Sequence, residues 1–327
     1  MNEFLLTILS ADFIFTVIRV MTPILFAALS CMVFTKGGID SIGIEGIMLT
    51  CSMAGPVCSY FTQSALGGVI GAILTGILLA FLFGYVTLQL KAVEILAGIA
   101  LNTMASGLTI FVIYFVAGEK GSTQSLFSPV IPNITIPGID SIPVLGDIIS
   151  GHNLLTYVGI ILTFVLAYLF YSTPLGLRIR SVGENAQAAA SVGINVMKYK
   201  YITLAIAGTL AGLGGAFMSM GYVSFFSKEM IAGRGFIGMA AEAMGMGNPF
   251  GIFLASSLFG IADSLAVRLQ LLNFPTQLIQ TIPYMITSSI LFLIHKAISC
   301  TNLLAFSKSI GLKKGICTST GMAFLTI

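Results

Sequence analysis

Charged side chains are scarce in this chain. It has 15 Lys and Arg and 12 Asp and Glu among 327 residues, or 8% charged, whereas soluble domains carry about 25%. Hydrophobic residues make up 57%, and the mean hydropathy is +1.02. So few charges cannot cover a water-facing surface, which excludes soluble enzymes, coiled coils, disordered proteins and nucleic-acid binders. The chain is therefore expected to sit in a lipid bilayer and to bind no nucleic acid.

Residues that carry enzymatic or metal chemistry are also few. The chain has two histidines, His152 and His295, too few for a histidine metal site or a catalytic triad. Its five cysteines are dispersed without a C-x-x-C pair and are expected to be apolar fillers. The sequence contains no G-x-S-x-G, no H-E-x-x-H and no G-x-x-x-x-G-K-[ST] nucleotide loop. We therefore expect no catalytic residue, no metal and no cofactor bound by this chain.

Long apolar stretches dominate the sequence. A helix needs about 20 apolar residues to cross about 30 Å of hydrocarbon. A further stretch, 235–246, is short and glycine-rich, which is typical of a broken or re-entrant segment enclosed by protein or a water-filled cavity. The predicted fold is an all-α polytopic membrane protein with about eight transmembrane helices plus this short segment. The predicted spans are 13–34, 43–62, 66–90, 93–117, 153–171, 201–221, 249–269 and 276–295.

The spans predict one transmembrane domain, 13–296. Residues 1–12 are expected to form an interfacial lead-in, and 297–327 are a tail without an assigned role. The start, Met1-Asn2-Glu3, lacks the basic region of a cleavable signal peptide. The first span is therefore expected to remain in the mature protein.

Two polar loops predict the orientation. Loop 118–152 is rich in proline and acidic residues, whereas loop 172–200 holds Arg178, Arg180, Lys198 and Lys200. Cytoplasmic loops collect Lys and Arg. Loop 172–200 is therefore expected inside, and loop 118–152 and the amino terminus outside.

The inner loop contains a short helix pattern. Asn185 is a good N-cap, residues 186–192 are mostly helix formers, and Gly193 suits the left-handed conformation that ends a helix. So short a helix is marginal without a packing partner, which indicates that something docks on it. The residues alone leave open a surface loop with a chance helical turn.

Four segments, in order, carry a resemblance to a known family. The sequence resembles the ABC importer permeases of the branched-chain amino acid, simple sugar and nucleoside group, and is most similar to the nucleoside branch. The resemblance covers about residues 20–295. One motif alone would be weak evidence for the family, whereas four motifs in the family's order are specific. The segments are Gly38-Ile-Asp-Ser-Ile-Gly-Ile-Glu-Gly46, Glu94-Ile-Leu-Ala-Gly-Ile-Ala-Leu-Asn102, the inner-loop segment 176–194, and Gly233-Arg-Gly-Phe-Ile-Gly-Met-Ala-Ala241.

This resemblance implies one permease subunit of an ATP-driven importer in the bacterial inner membrane. It implies two ATPase subunits inside that use ATP, a second permease subunit that is identical or different, and a solute-binding protein or lipoprotein outside. Nucleosides are the expected solute, with simple sugars and riboflavin-like molecules as alternatives. A different class, an ion-coupled carrier, stays open on residue chemistry, although no internal repeat supports it.

Two sets of candidate residues follow from the resemblance and from the cost of polar groups in a membrane. Glu94, Asn102 and Glu242 are expected to line the solute path or, as the alternative, to form structural hydrogen bonds between helices. Arg178 and Arg180 are expected to contact the ATPase or, as the alternative, lipid headgroups. The expected ATPase-coupling residues are Gly176, Arg178, Arg180, Gly183, Glu184, Asn185, Ala188, Ala189, Gly193 and Ile194. The expected solute-path residues are Asp40, Glu45, Glu94, Asn102, Arg234 and Glu242.

Overall fold

The computed structural model describes residues 11–119, 121–135 and 150–270. Within these ranges the regular structure is helical, with ten α-helices. A π-helical turn, Tyr85–Gln89, continues the helix Ala65–Gly84, and a second, Phe217–Tyr222, continues the helix Val196–Ala216. The helices are α1 Ala11–Lys36, α2 Ile44–Thr62, α3 Ala65–Gly84, α4 Glu94–Ala117, α5 Leu154–Ser172, α6 Pro174–Glu184, α7 Ala186–Ser191, α8 Val196–Ala216, α9 Arg234–Met244 and α10 Pro249–Gln270.

The predicted polytopic membrane fold is confirmed. Among the described residues, six helical stretches are long and apolar enough to cross a bilayer: Asp12–Lys36, Ala65–Gln89, Glu94–Ala117, Leu154–Ser172, Val196–Tyr222 and Pro249–Arg268. Helix α2 matches predicted span 43–62 in its bounds but is less apolar than these six. The predicted span 276–295, the tail 297–327 and most of the lead-in 1–12 lie outside the described residues.

Helices α1, α2 and α8 form the centre of the bundle. In the most apolar 18 residues of α1, 89% are buried, whereas the corresponding share for α4 is 22%. Outer helices expose large apolar side chains, such as Phe115 of α4 at 84% exposure and Leu254 of α10 at 63%. A bilayer accepts such side chains because its acyl chains are as apolar as leucine.

Small residues bring α3 and α8 into backbone contact, as their spacing predicts. A Cβ atom built on Gly208 would lie 2.6 Å from the carbonyl oxygen of Gly76, and one on Gly212 would lie 2.8 Å from Cα of Ile73. Helices in lipid associate through such van der Waals contact. The Gly208-x-x-x-Gly212 spacing is typical of such close helix packing.

The predicted short segment is helix α9, which has eleven residues. It begins after Gly233, which has φ +82°, and packs along α1, where Gly238 lies against the backbone of Ala27 and Ala28. At 1.5 Å per residue this helix is about 16 Å long and cannot cross a bilayer. Protein encloses it on the α1 side, as a broken helix requires.

The two predicted loops lie at opposite ends of α2. Segment 121–135 meets the carboxyl end of α2, where the Ser59 hydroxyl donates to the Pro129 carbonyl at 2.7 Å. Helix α6 meets the chain just before α2, where Gly183 lies against Gly38. We call the first of these the loop end. We call the second the basic end, because Lys36, Lys198 and Lys200 lie there.

Replacing Gly208 with Ala should lower the free energy of unfolding, because the new methyl group would overlap the Gly76 carbonyl. We expect a loss of about 1–3 kcal/mol, as for other over-packed contacts, measured by unfolding in detergent micelles. Gly107→Ala is the matched control, since no atom lies within 4 Å of its Cβ position. Equal stability of the two variants would contradict the packing assignment.

Candidate functional site

An elbow of two short helices, α6 and α7, occupies most of the predicted inner loop. Asn185 ends α6 and begins α7, where its side-chain oxygen accepts hydrogen bonds from the backbone N–H groups of Gln187 at 3.1 Å and Ala188 at 3.0 Å. The predicted N-cap is therefore confirmed. Helix α7 ends at Ser191, one residue before the predicted stop, and Gly193 has the predicted left-handed conformation with φ +83°.

Helix α6 was not predicted from the sequence, although the sequence carries its start signal. The Thr173 hydroxyl accepts a hydrogen bond from the Gly176 N–H at 3.2 Å, and Pro174 occupies the first turn. Proline is favoured there because its missing N–H would have no helical partner. After the elbow, Asn195 caps α8 by accepting from the Lys198 N–H at 3.1 Å. All three helix starts in this region are thus closed by side chains.

One face of α7 packs on the bundle and the other is exposed. Ala189 is buried with 3% exposure, whereas Gln187, Ala188 and Val192 are exposed, the last at 78%. Of the two alanines predicted for coupling, Ala188 therefore lies at the surface and Ala189 faces the bundle. An exposed apolar side chain beside small residues leaves a surface on which a partner could pack closely.

The predicted charged residues of the elbow stack on tyrosines of the chain itself. The Arg178 guanidinium donates to the Tyr199 hydroxyl at 2.7 Å, and the Arg180 guanidinium lies 5.4 Å from the ring centre of Tyr171. Glu184 is exposed at the end of α6. Stacking on aromatic rings holds both cations near the surface of the basic end.

The elbow contacts the 37–46 segment, which we define as the connection between α1 and α2 together with the first turn of α2. A Cβ atom built on Gly38 would lie 2.9 Å from Cα of Gly183, so the two backbones touch. Gly38 also has φ +67°, which side chains disfavour. The Lys200 ammonium lies 3.4 Å from the Gly38 carbonyl oxygen. The last turn of α6 thus rests directly on this segment.

Two predicted path residues of α4 hold the same segment. The Asn102 side chain accepts from the Gly46 N–H at 2.8 Å and donates to the Ile42 carbonyl at 3.0 Å. The Glu94 carboxylate accepts from the Asp40 N–H at 2.6 Å. Asn102 therefore satisfies one of the free N–H groups at the start of α2. The bond from Gly46 to Asn102 joins two helices, which is the alternative stated for Asn102, whereas the bonds to Asp40 and Ile42 join α4 to the connection before α2.

Glu45 connects the 37–46 segment to α9. Its two carboxylate oxygens accept hydrogen bonds from the backbone N–H groups of Gly233 at 2.8 Å and Gly235 at 2.7 Å. This carboxylate therefore caps the start of α9, where the helix dipole favours negative charge. The sequence did not reveal this partner.

The remaining predicted path residues lie around α9. Arg234 is 3.9 Å from the Asp263 carboxylate of α10, and its guanidinium also donates to the Ile231 carbonyl at 3.2 Å. Glu242 lies beside Thr35 and Lys36 at the carboxyl end of α1. The Asp40 side chain is exposed. Glu45 thus lies on the 37–46 segment, and Glu94 and Asn102 bond to this segment from α4. A role for these residues in lining the solute path stays a prediction.

A small cavity lies elsewhere, at the loop end. It has a volume of about 90 Å³ and is lined by residues that include Phe15, Arg19, His152 and Asn153. The Arg19 guanidinium donates to the Tyr222 carbonyl at 2.7 Å at this end. The predicted path residues do not line this cavity.

A bundle of apolar helices with a capped elbow at one end defines a helical membrane protein. The chain belongs to the family described as branched-chain amino acid transport system / permease component, which matches residues 13–294. It is 33% identical over 292 residues to the nucleoside ABC transporter permease protein NupC of Lactococcus lactis, covering 85% of this chain and 90% of the relative. The predicted family and its permease role are confirmed.

Two further relatives support the same family. The guanosine ABC transporter permease protein NupQ of Bacillus subtilis is 32% identical over 276 residues, covering 81% of this chain and 86% of the relative. The putative glucose ABC transporter permease protein TsgC13 of Haloferax volcanii is 27% identical over 260 residues, covering 78% of this chain and 77% of the relative. The similarity thus extends along most of each protein.

Replacing Asn102 with Ala should destabilise the bundle, because it leaves the Gly46 N–H and the Ile42 carbonyl without their partner. We expect a loss of about 1–3 kcal/mol in the free energy of unfolding, the cost of an unsatisfied buried polar group. The neighbouring Thr103→Ala is the control, since this exposed hydroxyl bonds to Ile99 of its own helix. A loss for Asn102→Ala no greater than that for Thr103→Ala would show that the hydrogen bonds of Asn102 contribute nothing.

Proposed function

We propose that this chain is a transmembrane subunit of an ATP-binding-cassette importer that carries nucleosides across the bacterial inner membrane. The observation that carries the proposal is the similarity, along more than four-fifths of the chain, to two permeases named for nucleosides and for guanosine. The elbow coincides with the motif that resembles the whole permease group, and the 37–46 segment with a motif that resembles its nucleoside and simple-sugar branch, which gives the proposal a structural basis.

The basic end faces the cytoplasm in this proposal. Lys36, Arg178, Arg180, Lys198 and Lys200 all lie there, and cytoplasmic loops are enriched in such residues. The loop end, with segment 121–135, then faces outward and receives the solute from a binding protein. This orientation agrees with the one expected from the sequence.

The ATPase subunits dock on the exposed face of α7. That face carries Gln187 and Ala188 on a helix that is capped at its start, and Val192 follows its last residue, just before a left-handed glycine. The nucleotide is hydrolysed by those partners, because the sequence of this chain has no phosphate-binding loop. A second permease subunit completes the path.

A sugar is the second candidate solute, because one relative is named as a putative glucose permease. Uptake in the native host, measured with radiolabelled guanosine, separates the two. Deletion of the gene should abolish ATP-dependent guanosine uptake, and unlabelled nucleosides but not glucose should compete in the parent strain. Competition by glucose alone would favour the sugar. Uptake by proteoliposomes that hold this chain alone, driven by an ion gradient, would overturn the importer assignment.

Replacing Val192 with Arg should weaken ATPase binding, because the charge would enter the apolar docking face. We expect about a tenfold loss of ATPase subunit co-purified with the tagged chain, equivalent to about 1.4 kcal/mol. Phe127→Arg is the control, since Phe127 has 81% exposure in segment 121–135 at the opposite end of the bundle. Unchanged recovery of the ATPase with Val192→Arg would exclude this face of α7 as its docking surface.

A further inference from the structure

We propose that Glu45 is a positioning residue that carries movement of the elbow to helix α9. In this inference α6 and α7 displace the 37–46 segment, and Glu45 makes the start of α9 follow. The inference rests on the proposed function, since ATPase subunits must first move the elbow. It assigns to the Glu45 carboxylate a role in transmitting movement, in addition to its role as the cap of α9.

The first joint lies between α6 and the 37–46 segment. Gly38 and Gly183 meet through their backbones, because a Cβ atom on Gly38 would lie 2.9 Å from both Cα and the carbonyl oxygen of Gly183. Gly37 packs against the side chain of Thr203 on α8, with a Cβ position 2.5 Å from the threonine methyl carbon and 3.0 Å from its hydroxyl oxygen. Close-packed groups transmit displacement because they have no room to yield. A shift of α6 toward the bundle therefore moves the segment.

The segment itself is stiffened at three points. Asn102 bonds Ile42 and Gly46, on either side of the start of α2, and Glu94 bonds the Asp40 N–H. These bonds prevent the connection between α1 and α2 from absorbing the displacement as a loop would. The first turn of α2, which bears Glu45, therefore moves with the part of the segment that touches α6.

The second joint lies between Glu45 and α9. Two charge-assisted hydrogen bonds, at 2.8 Å to Gly233 and 2.7 Å to Gly235, fix both the distance and the direction between carboxylate and helix start. A Cβ atom on Gly235 would lie 2.8 Å from Cα of Glu45, so the backbones are also in contact. From α9 the connection continues to α10, since Arg234 lies 3.9 Å from Asp263.

A purely structural cap would stabilise α9 without linking its position to the elbow. The two roles differ in how α9 responds to ATP, and a distance between spin labels measures this response. Phe236, on the first turn of α9, and Leu74, on α3, are exposed at 48% and 61% and accept labels. The labelled pair, Phe236→Cys with Leu74→Cys, is introduced into a chain whose five native cysteines are replaced by serine or alanine.

The test uses the complex isolated from native membranes through a tag on this chain, in nanodiscs, with and without ATP and vanadate. Glu45→Gln keeps the shape but removes the charge and one acceptor oxygen. We expect the ATP-dependent change in the population of label distances to fall about five-fold, the lower range of coupling between sites, while ATPase activity continues. Glu229→Gln is the control, since this exposed carboxylate lies on the segment that leads into α9.

The outcomes separate the inference from the function beneath it. No ATPase bound to the parent complex would overturn the proposed importer mechanism. An ATPase-bound parent complex without an ATP-dependent change in the label distance would overturn the inference alone, because α9 would not follow the elbow. A normal change in the parent and an equal change in Glu45→Gln would overturn the role of Glu45 alone. Gly235→Ala, which forces the two backbones apart, provides a second variant and should show the same loss. Failure of both variants to assemble would make Glu45 a folding residue and would also overturn the inference.

Discussion

The structure depends on satisfying the backbone N–H groups at helix starts inside the bundle. Such groups have no water to bond in a hydrocarbon layer, and each unpaired one costs several kcal/mol. Helices α2 and α9 both begin against other helices of the bundle, and side chains from those helices bond their first N–H groups. Asn102 serves α2, and Glu45 serves α9. These two polar side chains are thus placed where this constraint applies.

The same constraint joins segments that are far apart in the sequence. Glu45 and Gly235 are separated by 190 residues, and Asn102 and Gly46 by 56. The Asn102 bond ties the start of α2 to α4, and the Glu45 bonds tie the start of α9 to α2. As a result α9, which is too short to cross a bilayer, has a defined position. The resemblance motifs correspond to these joints, and their glycines permit the backbones to approach.

Much of the fold could be predicted, because the signals are local. Length and hydropathy located the long helices, and cap chemistry located α7 through Asn185 and Gly193. Helix α6 could not be located by hydropathy, although Thr173 and Pro174 mark its start, because it is short and carries Arg178 and Arg180. The partner of Glu45 and the inward face of Ala189 could not be predicted, because apolar periodicity does not identify which helix a polar group meets. Residues 276–295 lie outside the described part of the chain.

The three caps of the elbow region have a consequence for assembly. Thr173, Asn185 and Asn195 satisfy the helix starts internally, so α6 and α7 hold their shape before any neighbour arrives. A preorganised surface loses little conformational entropy when a partner binds. Binding is therefore tighter for the same contacts than it would be on a surface that must first become ordered. In the proposed complex, an ATPase subunit can therefore leave the elbow and bind it again many times without the elbow refolding.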